Sequence, residues 1–415
     1  MTRIVALDVG SSSVRAVAYD EEGNAEPGDA HLAYDELDAD RLVDACRAVL
    51  AQVGEGDALA ISCFWHSLVP VDEHDRPLTP VLTWRDLAGS AVVPGLEPES
   101  YHRRTGCFLH PAYWPAKLVR LQAEGIRAAR YLSFADYLLL RLAGEVRTSA
   151  SLASGTGLFD PNALAWDEET LAAVGVTAAQ LPPVSDEPVA GVRPALGDGA
   201  CSNVGAGAVT RSRAAVMVGT SAALRVVYEA ERVEARPGLF LYRRDDRRFC
   251  EGGALSDGGN LHAWLQRTLA EFDGAGLAER EPAAHGLTFE AYLGGERSLG
   301  WDPDRRGAIH GLSFATTPLD IAQAGLESVC YQLAGVLDAL GGIESVVATG
   351  GGLLANEGWL QVLADVLGRP VEVSGVAEGS ARGAALMALG RNPEAPVTRI
   401  VQPRMERHTI YKEMR

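Results

Sequence analysis

Two similar stretches lie in the two halves of this chain. Residues 5–20 (VALDVGSSSVRAVAYD) and residues 214–229 (AAVMVGTSAALRVVYE) align without a gap. Each stretch is typical of an apolar strand, a glycine turn and a second apolar strand. Because self-similar segments mark repeated structural units, the pair predicts two related domains, one opening at each hairpin.

The two turns differ in one chemically important position. Asp8 ends the first strand, whereas Met217 stands at the equivalent place in the second copy. The equivalent turn residues are Gly10, Ser11 and Ser12 in the first hairpin, and Gly219, Thr220 and Ser221 in the second. Amides and hydroxyls in such turns can hold phosphate, and a carboxylate can hold a hydrated magnesium ion. An ordinary hairpin containing an aspartate explains the first turn equally well. Together, the two turns favour different binding roles. The first would bind the metal and the reacting phosphate, and the second would bind the rest of a nucleotide.

Composition limits the classes of partner. The chain has 415 residues and a formal charge of −18, which disfavours nucleic acid as the main partner. The six cysteines form no C-x-x-C pair, which is typical of reduced thiols. The chain enters a strand at once and has no apolar run of membrane-spanning length. These features predict a cytoplasmic protein without membrane or nucleic-acid partners.

Two familiar nucleotide motifs are missing from the sequence. The only lysines are Lys117 and Lys412, and neither stands in a G-x-x-x-x-G-K-[ST] loop. The opening glycine runs into a second strand, whereas the dinucleotide fingerprint G-x-G-x-x-G opens a helix. A nucleotide, if bound, therefore needs another kind of site.

Several segments after the first hairpin have helical or strand periodicity. The pattern predicts helices over residues 40–53, 113–123, 134–143, 166–174, 319–340, 359–367 and 379–389. It predicts strands over residues 59–64, 81–86, 345–349 and 369–373. We expect a first domain over residues 1–210, a second over residues 211–391, and an ill-defined tail over residues 392–415.

Two glycine-rich segments could carry chemistry. Asp198 lies between Gly197 and Gly199, where a substrate can approach closely, although a helix N-cap aspartate would fit the same pattern. Gly350–Gly352 separates a strand from a helix, and Asn356 follows shortly after. Bare backbone there can approach a planar or anionic ligand, although a simple strand-to-helix turn would also fit.

Aromatic and polar residues cluster at two predicted strand ends, where α/β proteins bind ligands. They are Trp65, His66, Trp84 and Asp86. Rings pack on the C–H faces of polyhydroxylated ligands and carboxylates accept their hydroxyl groups, while a capped core tryptophan pair is the alternative. His66 and His110 lack partners at metal-ligand spacing, which disfavours a histidine metal site.

In this order, the motifs resemble the FGGY-type carbohydrate kinases, over residues 4–389. The motifs are Asp8–Arg15, Trp84–Asp86, Gly197–Ala200, Gly219–Ser221, Trp301–Pro303 with Arg306–Gly307, and Gly350–Gly352 with Asn356. The gluconokinase-like subgroup is the most similar, through Trp65–Leu68, Thr105–Cys107, Leu109–Pro111, Ser154–Gly157 and Gly295–Ser298. The resemblance implies an α/β fold of two duplicated ribonuclease-H-like domains with a cleft between them, as in actin, hexokinase and the heat-shock chaperones.

The resemblance also implies ATP-dependent phosphorylation of a sugar hydroxyl with Mg²⁺. Asp198 would be the general base and Asp8 would organise the metal. The transferring phosphate would lie against Gly10, Ser11, Ser12 and Arg15, and the distal phosphates against Gly219, Thr220 and Ser221. Adenosine would lie against Gly259, Gly351, Gly352 and Asn356, and the sugar against His66, Trp84, Asp86 and His110.

Two departures from the family pattern bear on the acceptor. Ser11 replaces the usual threonine but keeps a hydroxyl, and Ala88 stands where relatives often have an arginine. Gluconate is the first expectation, and a ketopentose such as xylulose or ribulose, or a polyol such as glycerol, is the alternative. A non-catalytic ATP-binding switch or sugar sensor of the same fold is a remote alternative. A homodimer is also compatible with the resemblance.

Overall fold

The computed structural model describes residues 2–35, 37–270, 272 and 274–414. The strands are β1 Ile4–Val9, β2 Ser13–Tyr19, β3 Ala30–Ala33, β4 Ala58–Cys63, β5 Val69–Val71, β6 Arg130–Leu132, β7 Phe159–Asp160, β8 Ala165–Trp166, β9 Leu196–Gly197, β10 Arg213–Val218, β11 Ala222–Glu229, β12 Phe240–Arg243, β13 Arg248–Leu255, β14 Thr288–Glu290, β15 Ala308–His310, β16 Ser345–Thr349, β17 Val371–Ser374 and β18 Val397–Val401. The helices are α1 Ala39–Val53, α2 Pro98–Thr105, α3 Trp114–Ala123, α4 Phe134–Ala143, α5 Ala150–Ser154, α6 Glu168–Val174, α7 Asp198–Gly205, α8 Gly259–Thr268, α9 Pro318–Leu340, α10 Gly351–Leu354, α11 Glu357–Leu367, α12 Gly379–Ala388 and α13 Met405–Glu413. None of these helices is long and apolar enough to cross a bilayer.

Two large sheets share one topology. The first has the order β3-β2-β1-β4-β9, and the second contains the equivalent series β13-β11-β10-β16-β17. In both series the first two pairings are antiparallel and the last two are parallel. The second sheet adds β12 at one edge and β18 at the other. The repeated hairpins therefore open two copies of the same unit, and the duplicated α/β fold is confirmed.

Two helices interlock the halves of the chain. Helix α7 follows the first sheet but packs against β11 of the second, whereas α12 follows β17 of the second sheet but packs against β1 and β4 of the first. The two helices also pack tightly against each other. The remaining faces are covered by α1 on the first sheet and by α9 on the second, with α11 packed against α9.

The contact between α7 and α12 depends on small residues. A Cβ atom added to Gly383 of α12 would lie 1.8 Å from the carbonyl oxygen of Cys201 in α7. A Cβ atom added to Gly205 of α7 would lie 1.9 Å from the carbonyl oxygen of Gly379. Buried Arg382 completes the contact, because its Nη1 donates to the Gly205 carbonyl oxygen at 2.6 Å. The two backbones therefore touch, and no larger side chain fits between them.

Most predicted elements are present within two residues of the predicted limits, but the strand expected over residues 81–86 is wrong. There Leu82 forms an isolated bridge with Leu68, and the Asp86 N–H donates to the Thr83 carbonyl oxygen at 3.1 Å. This hydrogen bond closes a turn that ends the extended backbone. The apolar residues of this segment favour a strand. Within the described residues, however, its β-pairing is limited to the single bridge between Leu82 and Leu68.

The expectation of an ill-defined tail after residue 391 is also wrong. Strand β18 pairs antiparallel with β17 and completes the edge of the second sheet. In α13 the buried Tyr411 hydroxyl donates to Glu327 Oε1 at 3.0 Å. Arg404, just before α13, pairs with the buried carboxylate of Asp365 at 2.6 Å. The sequence does not indicate these contacts, because the partners of Tyr411 and Arg404 are buried acids on the distant helices α9 and α11.

We expect Gly383→Ala to destabilise the protein by about 2 kcal/mol or more, because overpacking outweighs the gain of about 1 kcal/mol in helix propensity. Gly276→Ala is the matched control, since a Cβ atom there meets nothing within 4 Å. Denaturant unfolding measures both variants. Equal stability of Gly383→Ala and the wild type would contradict the close helix contact.

Candidate active site

Asp8 lies at the end of β1, at the centre of the first sheet. Its neighbours across the sheet are Arg15 on β2 and Ser62 on β4. The Ser62 hydroxyl donates to Asp8 Oδ1 at 2.7 Å. Burial raises the pKa of Asp8 to about 7; Ser62 and Arg15 oppose that shift, and the charges of Asp198 and Glu378 add to it. Asp8 is therefore close enough to two other carboxylates for their charges to raise its pKa further.

Asp198 is the first residue of α7 and follows β9, which pairs with β4 beside β1. Gly197 is the N-cap residue, so Asp198 is not the capping residue that the sequence allowed. Burial raises the pKa of Asp198, opposed by the charges of Arg225 and Arg297 and by the Gly199 N–H, which donates to Oδ1 at 2.8 Å. Asp198 is thus a half-buried acid with two guanidinium groups near it.

Arg15 has a partner that the sequence did not indicate. Its guanidinium forms an ion pair with Glu378, the N-cap residue of α12. Because Glu378 comes from the second half of the chain, this pair links the two halves directly beside Asp8. Arg15 Nε has no hydrogen-bond partner among the described residues. Arg15 is therefore held at the first turn by a contact that crosses between the domains.

Both halves line one cavity that contains Asp198. Its walls are Phe64, Trp65, His66, Trp84, Asp198, Met217, Ser221, Ala222, Ala223, Arg225, Phe240, Tyr242, Ala254 and Arg297. The cavity thus combines the predicted base, aromatic rings and the second hairpin turn. Such a mixture of apolar walls and a few polar groups is typical of a small-molecule site.

Two cationic side chains of this cavity, Arg225 and Arg297, were not among the site residues predicted from the sequence. Arg225 is buried on β11, and the Arg297 guanidinium lies 5.4 Å from the Trp84 ring centroid and 5.8 Å from that of Trp301. The Nε atoms of both arginines lack hydrogen-bond partners within the described chain. The Gly295–Ser298 motif pointed to Arg297, but nothing in the hairpin repeat distinguished Arg225 from other strand residues.

The four predicted sugar residues do not all reach this cavity. His66 and Trp84 line it, and the His66 Nδ1 is 2.5 Å from the Gly155 carbonyl oxygen. Burial lowers the pKa of His66 well below its usual value, so the ring is neutral. His110 lies behind the cavity, with its ring centroid 5.6 Å from that of Trp301. Asp86 is outside the lining and accepts a hydrogen bond from Arg120 at 2.5 Å.

Three glycines that were predicted to contact the nucleotide, Gly219, Gly259 and Gly352, lie close together in the second domain. The Gly259 N–H donates to the Gly219 carbonyl oxygen at 2.8 Å. A Cβ atom on Gly259 would lie 2.4 Å from that oxygen and 3.8 Å from the Gly352 Cα atom. The second hairpin turn, the start of α8 and the start of α10 therefore form a surface of bare backbone.

The other predicted nucleotide residues surround this surface. Thr220 is exposed at the turn, and its carbonyl oxygen accepts from the Asn260 N–H at 3.0 Å. Asn356 caps α11, since its side-chain oxygen accepts from the Trp359 N–H at 2.9 Å. Its amide group is thus oriented by the cap. In the first turn Ser12 is exposed, and Gly10 donates to the Ser13 carbonyl oxygen at 2.9 Å.

The duplicated fold and a cavity lined by both halves are those of a two-domain protein of the actin and hexokinase type. Residues 3–191 match the N-terminal domain of the FGGY family of carbohydrate kinases, and residues 214–390 match its C-terminal domain. The chain belongs to this family and is an ATP-dependent carbohydrate kinase. The family and the enzyme class predicted from the sequence are confirmed.

Characterised relatives include kinases for different acceptors. The chain is 27% identical to a gluconokinase of Bacillus subtilis, over 93% of this chain and 87% of that protein. It is 30% identical to a glycerol kinase of Methylobacterium nodulans, over 94% and 89%. A xylulose kinase structure from Lactobacillus acidophilus has a TM-score of 0.89 at 25% identity, covering 100% of this chain and 96% of that one. A gluconate kinase structure from the same organism has a TM-score of 0.88 at 24% identity, covering 99% and 96%.

We expect Gly259→Ala to weaken ATP binding at least about tenfold, because the added methyl group separates the three glycine segments by steric overlap. Binding of the sugar should change little, since Gly259 does not line the sugar cavity. Calorimetric titration with ATP and sugar separately measures this, with Gly276→Ala as control. Unchanged ATP affinity in a folded Gly259→Ala variant would exclude this surface as the nucleotide site.

Proposed function

We propose that this kinase transfers the γ-phosphoryl group of ATP to a hydroxyl of a small sugar acid, with gluconate the first candidate. The supporting observation is the charge of the cavity: Arg225 and Arg297 bring two cations against the single carboxylate of Asp198. Their Nε atoms have no hydrogen-bond partner among the residues described. A guanidinium with unfilled donors favours a carboxylate ligand, which a neutral ketopentose or glycerol does not supply.

Asp198 is the general base in this proposal. Its carboxylate takes the proton of the acceptor hydroxyl while the hydroxyl oxygen bonds to the γ-phosphorus, the bond from that phosphorus to the β,γ-bridging oxygen breaks, and ADP leaves. Burial raises the pKa of Asp198, which makes its carboxylate a stronger base than that of an ordinary aspartate. Because the pKa of Asp198 is raised, we expect activity to fall on the acid side at a pH above the usual pKa of an aspartate.

Asp8 is the residue proposed to hold magnesium. Its carboxylate is destabilised by burial and by the charges of Asp198 and Glu378, which a divalent cation would relieve. No group of three or more potential ligands is present among the described residues, in keeping with a magnesium ion that keeps waters and binds substrate phosphates. When bound there, the ion would neutralise charge on the phosphates. Asp8 would orient that ion, and Ser62 would orient Asp8.

The remaining residues position the two substrates. The turn of Gly10, Ser11 and Ser12 would face the transferring phosphate, and the turn of Gly219, Thr220 and Ser221 the distal phosphates. Gly259, Gly351, Gly352 and Asn356 would surround the adenosine. Trp84 and His66 would pack against the acceptor, with Asp86 and His110 supporting the wall from behind. Closing the halves would exclude water, which limits ATP hydrolysis. The domain limit near residue 210 and the homodimer stay predictions.

Asp198→Asn should reduce phosphoryl transfer by at least about a hundredfold, because the amide cannot accept the hydroxyl proton. ATP affinity should stay within about threefold of the wild type, since the glycine surface is untouched. Coupled ADP release and calorimetry measure the two quantities, and exposed Asp44→Asn is the control. Near-normal turnover in Asp198→Asn would remove Asp198 from the role of base.

Arg297→Gln tests the acceptor class in a panel of gluconate, xylulose, ribulose and glycerol. We expect gluconate to have the highest kcat/KM in the wild type. The variant should raise the KM for gluconate by about tenfold or more, as expected for a lost charge-assisted hydrogen bond, and the KM of neutral acceptors much less. Exposed Arg127→Gln is the control. An equal loss for charged and neutral acceptors would contradict a sugar acid as substrate.

A further inference from the structure

A second cavity of about 240 Å³ lies at the junction of the two halves and shares no residue with the catalytic cavity. One wall comes from β4 and from the segment before and within β9, which includes Arg193. Another wall is the turn between β12 and β13, which includes Arg244. The end of α12 forms the third, with Met387 in contact. The family assignment gives this cavity no role.

Two arginines in this cavity have unfilled hydrogen-bonding capacity. Arg193 Nε and Arg244 Nη1 have no partner among the described residues. Arg244 is buried, and its Nε lies 3.0 Å from the thioether sulfur of Met387, a weak acceptor, and 3.4 Å from Asp245 Oδ2. Its unfilled donor is therefore Nη1. Arg248 in the same wall is already paired with Asp245 at 3.2 Å. Because buried donors are normally satisfied, the two arginines favour a ligand with anionic oxygen atoms.

Three acids stand on the same walls of the cavity as the arginines. Asp186 precedes Arg193 in the segment before β9, and Asp245 and Asp246 follow Arg244 in the turn between β12 and β13. Burial raises the pKa of Asp186 to about 6, and the charges of the other two acids add to the shift. Carboxylates can accept the hydroxyl groups of a ligand whose anionic end faces the arginines. The cavity therefore fits a hydroxylated molecule with one anionic group better than a simple polyanion.

Three chain segments line both this cavity and the catalytic cavity. Strand β4 contributes Ile61 here, and His66 beyond its end contributes to the catalytic cavity. Leu196 lies here, two residues before Asp198. Arg244 lies here, two residues after Tyr242 of the catalytic wall. A shift of any of these segments therefore moves both cavities.

Helix α12 gives a fourth connection. Met387 near its end lines the cavity, while Glu378 at its N-cap pairs with Arg15 beside Asp8. Because a helix moves as a rigid unit, a ligand against its end can change how the halves meet at the first turn.

We propose that this junction cavity is a regulatory site for a small hydroxylated metabolite with one phosphate or carboxylate group. The anionic group binds Arg193 and Arg244, and the hydroxyl groups face the aspartates. Arg193 belongs to the first half of the chain and Arg244 to the second, so the ligand favours one arrangement of the halves. By linkage, the ligand alters sugar binding, and the sugar alters ligand binding by the same factor.

The test uses three probes that share one three-carbon skeleton: glycerol 3-phosphate, glycerate and glycerol. Calorimetry on the full-length wild type should show one site per chain for at least one anion, and that anion should change the KM for the sugar at least about threefold. The phosphate and carboxylate probes distinguish the two anionic groups. Binding of glycerol with the same affinity would overturn the proposal, as would the absence of binding by both anions.

Arg193→Gln assigns the binding to this cavity. The variant should lose at least about tenfold in anion affinity, because a charge-assisted hydrogen bond is lost. It should keep its unliganded kinase activity, since Arg193 does not line the catalytic cavity. Arg127→Gln should bind as the wild type does. Unchanged anion binding in Arg193→Gln, or specific binding without any change in KM, would contradict a regulatory junction site.

Discussion

The contact between α7 and α12 is the constraint on which the rest of the structure depends. The helices cross between the two sheets, and each packs on the sheet of the opposite half. Their approach is so close that Gly205 and Gly383 leave no room for a Cβ atom. Because Asp198 begins α7 and Glu378 caps α12, this packing places both carboxylates beside the first hairpin turn.

The same contact explains how separate parts of the chain form one site. The first sheet contributes Asp8, whose pKa rises because burial and neighbouring acids destabilise the anion. The second contributes Arg225, which balances the charge of Asp198 across the cavity. Neither half has a complete set of groups. The cavity exists only where the halves meet, because Asp198 comes from the first half and Arg225 and Arg297 come from the second.

Much of this arrangement follows from local sequence patterns. The repeated hairpins predicted the duplication, and the small residues that follow Asp198 predicted the close-packed helix α7. The partner of Arg15 could not be predicted, because Glu378 comes from the other half and only the α7–α12 packing brings the two together. Asp86 was predicted to contact the sugar, but its carboxylate pairs with Arg120 on α3 and does not line the cavity. Local patterns set the elements, whereas contacts between distant elements set side-chain direction.

The most direct test of the account is a crystal structure of the protein with gluconate and a non-hydrolysable ATP analogue. We expect the terminal hydroxyl of gluconate within hydrogen-bond distance of Asp198, and its carboxylate at Arg225 or Arg297. The nucleotide should lie against Gly219, Gly259 and Gly352. A sugar acid bound away from Asp198, or a nucleotide bound outside the glycine surface, would contradict the account.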